Sequence, residues 1–262
     1  MQQSILSSKK LPLKFKAIIS YEGTDFSGFQ VQPGKKTIQQ EIERVLSQIF
    51  QQKVKIVSSG RTDAGVHACR HVISFSVITD LSPLKIKKAM NGLLNSNNIS
   101  VKEVCYADYN FHPRFDAKKK VYRYLLTQFN SPFLVKRAWY VAEKLDIPGM
   151  RRAASFIVGT HDFSCFQASG RKVKDPVRTI EYIKIQKEYF CFDPEIKVIV
   201  IEICATGFLY KMARNIVGTL VDVGRRKIAP EYIEQIIASK DRRLACATAP
   251  AYGLYLKDVL YE

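Results

Sequence analysis

A polar loop in the first third of the chain reads Ser58-Ser59-Gly60-Arg61-Thr62-Asp63-Ala64-Gly65-Val66-His67-Ala68. It places one carboxylate, Asp63, between two glycines, and small residues of this kind let a ligand approach the backbone closely. Arg61 lies two residues earlier, and a cation beside a carboxylate holds it ionised and oriented. The loop suits a nucleophile or general base at Asp63, with an Asx turn capped by an arginine ion pair as the structural alternative.

The segments around this loop alternate between strand and helix patterns. Period-two alternation predicts strands over residues 15–21, 54–57, 71–77 and 101–106. Helical spacing predicts one helix over residues 37–50, with Thr37 and Gln40 as a capping box, and a second from Ser82 to Leu94 with Pro83 at its first position. The order β-α-β-β-α-β is that of a ferredoxin-like split βαβ unit, which RNA-binding modules often use.

The second half of the chain predicts a further set of strands and helices. The strands fall at residues 120–127, 138–141, 180–187, 197–205 and 252–261, and the helices at 148–158, 209–223 and 231–239. In the helix at 209–223 we expect Tyr210 and Lys211 on the same face as Arg214. Turn-forming residues near 106–114 interrupt the periodicity. The sequence therefore predicts two α/β domains, residues 1–108 and 109–262, with mainly antiparallel sheets flanking a basic cleft.

The charge balance predicts a polyanionic partner. Lys and Arg total 41 against 24 Asp and Glu, a formal net charge of +17. A membrane surface is disfavoured, because no apolar run approaches the ~18 residues of a span and no long basic amphipathic helix stands out. The N-terminus lacks the apolar stretch of a signal peptide, which predicts a cytoplasmic protein. Nucleic acid is the expected partner.

Cysteine and histidine spacing argues against a metal site. The six cysteines include no C-x-x-C pair and predict buried free thiols in a reducing compartment. His67, Cys69 and His71 alternate, so a strand would place all three on one face, where zinc could use them. No fourth ligand follows at a recognisable spacing, and we therefore predict no metal.

Four further segments resemble, in the same order, motifs of the TruA family of tRNA pseudouridine synthases, as the Asp63 loop itself does. They begin with the run at residues 21–30, YEGTDFSGFQ. Next come FHPRF at 111–115 leading into YRY at 122–124, then HDFS at 161–164 with RTI at 178–180. The last is GFLYKMARNIVG at 207–218. The resemblance spans nearly the whole chain.

This resemblance implies a cofactor-free isomerase that converts uridine to pseudouridine in tRNA, at positions 38 to 40 of the anticodon stem-loop, and that works as a homodimer. It implies that Asp63 is the essential catalytic residue and that Arg61 helps to fill the space left by an extruded base. Tyr122 would lie beside that base, whereas the pattern alone favours core packing for both Tyr122 and Tyr124. Arg214 would pair with Asp63.

Three positions depart from the family pattern, and two other functions stay open. Phe29 stands where tryptophan is usual, Arg70-His71-Val72 replaces Gly-Gln-Val, and Lys120 replaces an arginine. One alternative is a non-catalytic RNA-binding protein with the same basic cleft. The other is an acid–base RNA-cleaving enzyme that uses Asp63 with His67 or His112, although neither histidine is assigned as an acid.

Overall fold

A computed structural model describes residues 11–94, 98–168, 170, 173–191 and 193–262. Within these residues the strands are β1 Leu13–Tyr21, β2 Val57–Ser58, β3 His67–Val77, β4 Ile99–Tyr106, β5 Lys119–Thr127, β6 Trp139–Tyr140, β7 Gly159–Asp162, β8 Val177–Phe190, β9 Asp193–Ala205 and β10 Leu254–Leu260. The α-helices are α1 Ile38–Phe50, α2 Pro83–Leu94, α3 Ile147–Ile157, α4 Met212–Gly224 and α5 Tyr232–Ser239.

The described strands form one sheet in the order β4-β1-β3-β10-β5-β9-β8-β7, with β2 added to β3 and β6 to β5. Most pairs are antiparallel; β10 with β3 and β6 with β5 are parallel. The fold class is therefore α/β of the α+β kind with a mainly antiparallel sheet, as the sequence predicted. The N-terminal order β1-α1-β2-β3-α2-β4 confirms the split βαβ arrangement.

Two apolar cores lie against this sheet. The first joins β1, β3 and β4 to α1 and α2, and α1 begins where the Thr37 hydroxyl accepts a hydrogen bond from the Gln40 amide. The second joins β5, β8 and β9 to α3, α4 and α5. The cores meet at β10, because Leu256 and Val259 pack in the first while Leu254 packs in the second. The division at residue 108 stays a prediction.

Several element bounds differ from the sequence prediction. Of the strand expected at 54–57, only Val57 pairs with β3, together with Ser58 beyond the expected end, and the edge strand β7 was not predicted. The helix expected from residue 209 begins at Met212, because Lys211 has a left-handed backbone with φ of 59°. Tyr210 and Lys211 therefore precede the helix, and the expectation that they share the face of Arg214 was wrong.

The cysteines are free thiols, but most are not buried. Cys165 and Cys204 lie in the core, Cys191 is exposed, and the others are partly buried. The prediction of buried thiols was thus wrong for four of the six. Cys69 and Cys105 follow core residues along β3 and β4 and so face away from the core, whereas Cys191 and Cys246 lie outside the strands and helices.

No helix in the described part of the chain is both long and apolar enough to cross a bilayer.

Candidate active site

The loop that carries Asp63 connects β2 to β3 and is held by backbone hydrogen bonds. The Ser59 amide donates to the Val72 carbonyl at 2.8 Å, which extends the pairing of β2 by one residue. The Val66 amide donates to the Asp63 carbonyl at 3.2 Å and closes a turn, within which Gly65 has φ of 78°. The carboxylate of Asp63 is thus presented by a closed turn.

Glycines of the segment at residues 21–30 pack directly on this loop. A Cβ atom on Gly23 would lie 2.0 Å from the Val66 carbonyl oxygen, and one on Gly28 would lie 2.9 Å from that of Thr62. Heavy atoms cannot approach so closely, so both positions require glycine. The first family-like motif therefore fixes the backbone around Asp63.

Asp63 pairs with Arg214, which comes from the other half of the chain. Arg214 lies in the first turn of α4, and its Nη1 donates to Asp63 Oδ2 at 3.0 Å. The Asp63 side chain is 24% exposed and the Arg214 side chain 13%, so the carboxylate is the more accessible of the two. Arg214 Nε donates to the Ala249 carbonyl at 2.8 Å. The guanidinium is therefore fixed at two points, and the carboxylate stays open to a ligand.

A buried polar network supports the segment that contains Ala249. Asn215, fully buried on α4, donates from Nδ2 to the Phe166 carbonyl at 2.7 Å. Its Oδ1 accepts from Arg242 Nη2 at 3.1 Å and from the Thr248 hydroxyl at 2.6 Å. These residues were missed from sequence. The one available signal was an asparagine three positions after Met212, on the apolar face of the helix.

Tyr122, on β5, lies close enough to Asp63 for the negative charge of that carboxylate to act on it. Its ring is partly buried and meets Phe208 edge-on, with centroids 4.8 Å apart. Burial raises the pKa of Tyr122, and the negative charge of Asp63 raises it further. Tyr124, two residues along the strand, is fully buried, and its hydroxyl donates to the Pro250 carbonyl at 2.8 Å. Tyr124 thus belongs to the core, whereas Tyr122 borders the site.

Beneath the loop lies a buried chain of polar side chains. The Tyr21 hydroxyl hydrogen-bonds to Thr62 Oγ1 at 2.8 Å and to His71 Nδ1 at 2.9 Å. Burial, with the nearby positive charge of Lys120, lowers the pKa of His71 to about 3. Ser59 Oγ is buried and has no hydrogen-bond partner among the described residues, whereas His71 Nε2 has only the Gly60 backbone near it. Arg61, on the outer side of the loop, is exposed.

Lys120 adds a cation behind the loop. Its Nζ donates to the Ser59 carbonyl at 2.7 Å and lies 3.0 Å from where a Cβ on Gly60 would stand. Burial, together with the positive charge of Arg114, lowers its pKa to about 8. The lysine that departs from the family pattern is therefore in direct contact with the loop.

The histidines considered as ligands or acids have structural partners. His67 Nδ1 accepts from the Gly23 amide at 3.0 Å, and Nε2 lies 2.9 Å from the Tyr252 carbonyl, which assigns the proton of the neutral ring to Nε2. Burial lowers the pKa of His67 despite the nearby Glu22 carboxylate. His112 Nδ1 accepts from two backbone amides. Among the described residues, no group of three His, Cys, Asp or Glu side chains could hold a metal.

Comparison with known proteins identifies the family. A family model described as tRNA pseudouridine synthase matches residues 17–116 and 153–262. The chain belongs to the tRNA pseudouridine synthase family. A tRNA pseudouridine synthase A from Acetivibrio thermocellus is 43% identical over 94% of this chain and 98% of its own length. One from Bacillus subtilis is 41% identical over 95% of this chain and 100% of its own.

Among solved structures, an unknown protein from Galdieria sulphuraria aligns with 82% of this chain and 94% of its own. Its TM-score is 0.23 and its identity 10%, values too low to support an inference.

The family assignment agrees with the resemblance read from the five motifs. Four of those motifs meet at the Asp63–Arg214 pair, since the glycine-rich segment, the Asp63 loop, the strand with Tyr122 and the helix with Arg214 all contribute to it. The roles of these residues in catalysis stay predictions.

Proposed function

We propose that this protein isomerises uridine to pseudouridine in tRNA and that Asp63 is the carboxylate that acts on the nucleoside. The observation that carries the proposal is the Asp63–Arg214 ion pair, at 3.0 Å, formed between two halves of a family member. The arginine orients the carboxylate through one oxygen. The partly exposed carboxylate is then free to meet a nucleotide.

The residues present are sufficient for the chemistry. Isomerisation breaks the C1′–N1 bond, turns the uracil and joins C1′ to C5, from which a proton leaves. It requires neither a redox change nor an energy source, so we propose no cofactor. Asp63 could attack uracil C6, attack C1′, or remove the C2′ proton to give a glycal. Each route requires the carboxylate within reach of C6 of the uracil or of C1′ or C2′ of the ribose.

The surrounding side chains suit an extruded base. Uridine in a stem must leave its stack before Asp63 can reach it, at a cost of roughly a few kcal/mol. We propose that the exposed, planar guanidinium of Arg61 occupies part of the vacated space. Tyr122, which borders the carboxylate, would pack against the uracil, and stacking of this kind contributes about 1–3 kcal/mol.

The names of the relatives and the net charge support tRNA as the substrate. The relatives are named tRNA pseudouridine synthase A, and a net charge of +17 suits a polyphosphate. We propose uridines 38 to 40 of the anticodon stem-loop as the targets, a homodimer as the working form, and the cytoplasm, where tRNA is abundant, as the compartment.

Release of tritium from tRNA that carries [5-³H]uridine tests the function, because isomerisation frees the C5 hydrogen. We expect release with the wild type and a loss of at least ~10⁴-fold with Asp63→Asn, with tRNA binding retained. Asp258→Asn is the matched control, since Asp258 forms an ion pair with Arg70 at 3.1 Å on β10. It should release tritium at the wild-type rate.

Two other outcomes separate the alternatives. Binding of tRNA by the wild type without tritium release would leave a non-catalytic RNA-binding protein. Shortened RNA on a denaturing gel would identify an RNA-cleaving enzyme, since isomerisation keeps the chain length.

A further inference from the structure

A rigid turn between β4 and β5 exposes an aromatic side chain. His112 Nδ1 accepts from the amides of Arg114 and Phe115, each at 3.2 Å. The Asp116 carboxylate accepts from the His112 amide at 2.9 Å. Within this turn Phe115 is 75% exposed, its ring centroid 4.2 Å from that of His112. We call this set of three residues, His112, Arg114 and Phe115, the aromatic platform.

The aromatic platform stands beside the Asp63 loop. The turn leads directly into β5, and its Pro113 carbonyl accepts from the Tyr261 hydroxyl at 2.8 Å, which fixes it against the end of β10. Lys120 in turn contacts the Ser59 carbonyl at 2.7 Å, four residues before Asp63. Lys120, five residues after Phe115, therefore links the platform to the loop that carries Asp63.

The composition of the platform suits an unpaired base. The Arg114 guanidinium lies 5.8 Å from the Phe115 ring centroid, so a flat apolar ring and a cation are presented together. Proteins that bind single-stranded nucleic acid combine such rings with positive charge, and a base within a duplex has no free face to offer. The backbone hydrogen bonds to His112 fix the turn before binding, which lowers the entropy lost on association.

We propose that the aromatic platform stacks one unpaired nucleobase of the RNA, next to the nucleotide that reacts at Asp63. The inference rests on the proposed function for the identity of the RNA, but not for the stacking itself. It assigns Phe115 to base contact and Arg114 to the adjoining phosphate. The platform then selects looped RNA over continuous duplex.

Binding of two RNAs by three variants tests the proposal. The RNAs are an anticodon stem-loop hairpin and a fully paired duplex of equal length. Phe115→Ala should weaken hairpin binding by about tenfold, within the range for loss of one stacked base, and leave duplex binding unchanged. Phe115→Trp should restore hairpin binding. Tyr189→Ala is the matched control, since Tyr189 is 67% exposed and has Lys197 4.9 Å from its ring centroid.

Salt dependence separates base contact from phosphate contact. Phe115→Ala should leave the slope of log Kd against log salt unchanged, whereas Arg114→Ala should reduce it by about one.

Equal weakening of hairpin and duplex by Phe115→Ala would overturn the proposal. So would a change of oligomeric state in sedimentation, which would identify Phe115 as a protein contact. Tritium release by the wild type, measured separately, shows whether the proposed function fails independently of the platform.

Discussion

The loop that carries Asp63 and the helix that carries Arg214 are supported in different ways. Around Arg214, the Asn215 side chain has hydrogen-bond partners on both its nitrogen and its oxygen. Beneath Asp63, by contrast, the buried Ser59 Oγ lacks a partner among the described residues, and His71 Nε2 has only the Gly60 backbone near it. The difference indicates that the cationic side of the site is held by satisfied side chains, whereas the acidic side is held by backbone contacts and close packing.

This contrast has an energetic meaning. A buried polar group with partners contributes about 1 kcal/mol to stability, but one without partners costs about 1–3 kcal/mol. Sites that break local packing rules are commonly functional. The Asp63 loop therefore carries a local cost. The two sides should respond differently to substitution.

After the loss of Asp63 itself, the largest expected effect comes from removing the arginine of the pair. Arg214→Met should lower kcat/KM for tritium release by about 10³-fold, equivalent to about 4 kcal/mol, because it leaves a partly buried carboxylate without its partner. Arg225→Met is the matched control, since Arg225, at the opposite end of α4, donates to Glu143 at 3.2 Å. An equal loss in both variants would mean that the effect is structural.

Removing Asn215, the centre of the buried polar network beside Arg214, should have the next largest effect. Asn215→Ala should lower the free energy of unfolding by about 3 kcal/mol, because several buried groups lose their partners. It should also lower kcat in the folded enzyme by about tenfold, since Ala249 no longer holds Arg214 firmly. Chemical denaturation and tritium release measure the two effects.

A second asparagine provides the control for that experiment. Asn91 bridges the amide and carbonyl of Val101, at 2.7 and 2.9 Å, far from the ion pair. Asn91→Ala should reduce stability comparably and leave kcat unchanged. An unchanged kcat in Asn215→Ala would show that the network supports the fold but does not position Arg214.

The importance of Asn215 also shows where sequence analysis stops. Periodicity predicted the helices and most strands, and motif resemblance selected Asp63 and Arg214, because both signals lie in consecutive residues. The partner of Arg214 Nε is a backbone carbonyl 35 residues away, and any residue type has one. The insertion of β10 between β3 and β5 depends likewise on long-range pairing. Neither the backbone contact of Arg214 nor the position of β10 leaves a pattern in consecutive residues.

Low pH should reduce the stability of the Asp63 side of the site more than that of the Arg214 side. His71 has a pKa of about 3 when folded, against 6.5 unfolded, so the unfolded chain binds more protons between these values. The neutral ring thus favours folding above pH 6.5, and this contribution is lost as the pH falls. Between pH 7 and pH 5 the loss from His71 should be about 2 kcal/mol.

His71→Gln tests this expectation because glutamine is uncharged at either pH. Denaturation at the two pH values should show a smaller acid loss in His71→Gln than in the wild type. His161→Gln, on the edge strand β7, should retain the wild-type loss. If His71→Gln also retained it, the acid sensitivity would belong to other groups, His67 among them, since burial lowers its pKa too.

The smallest expected effect comes from removing one hydroxyl group on each side of the site. It tests the comparison between the two sides most directly. Thr219→Val removes a hydroxyl that donates to the Asn215 carbonyl at 2.9 Å and accepts from the Cys246 amide at 3.3 Å, so it should cost about 1 kcal/mol of stability. Ser59→Ala removes a buried hydroxyl without a partner among the described residues. It should leave the free energy of unfolding unchanged or raise it by up to about 1 kcal/mol. Equal losses in the two variants, measured by chemical denaturation, would show that Ser59 is as well satisfied as Thr219 and that the two sides do not differ in this respect.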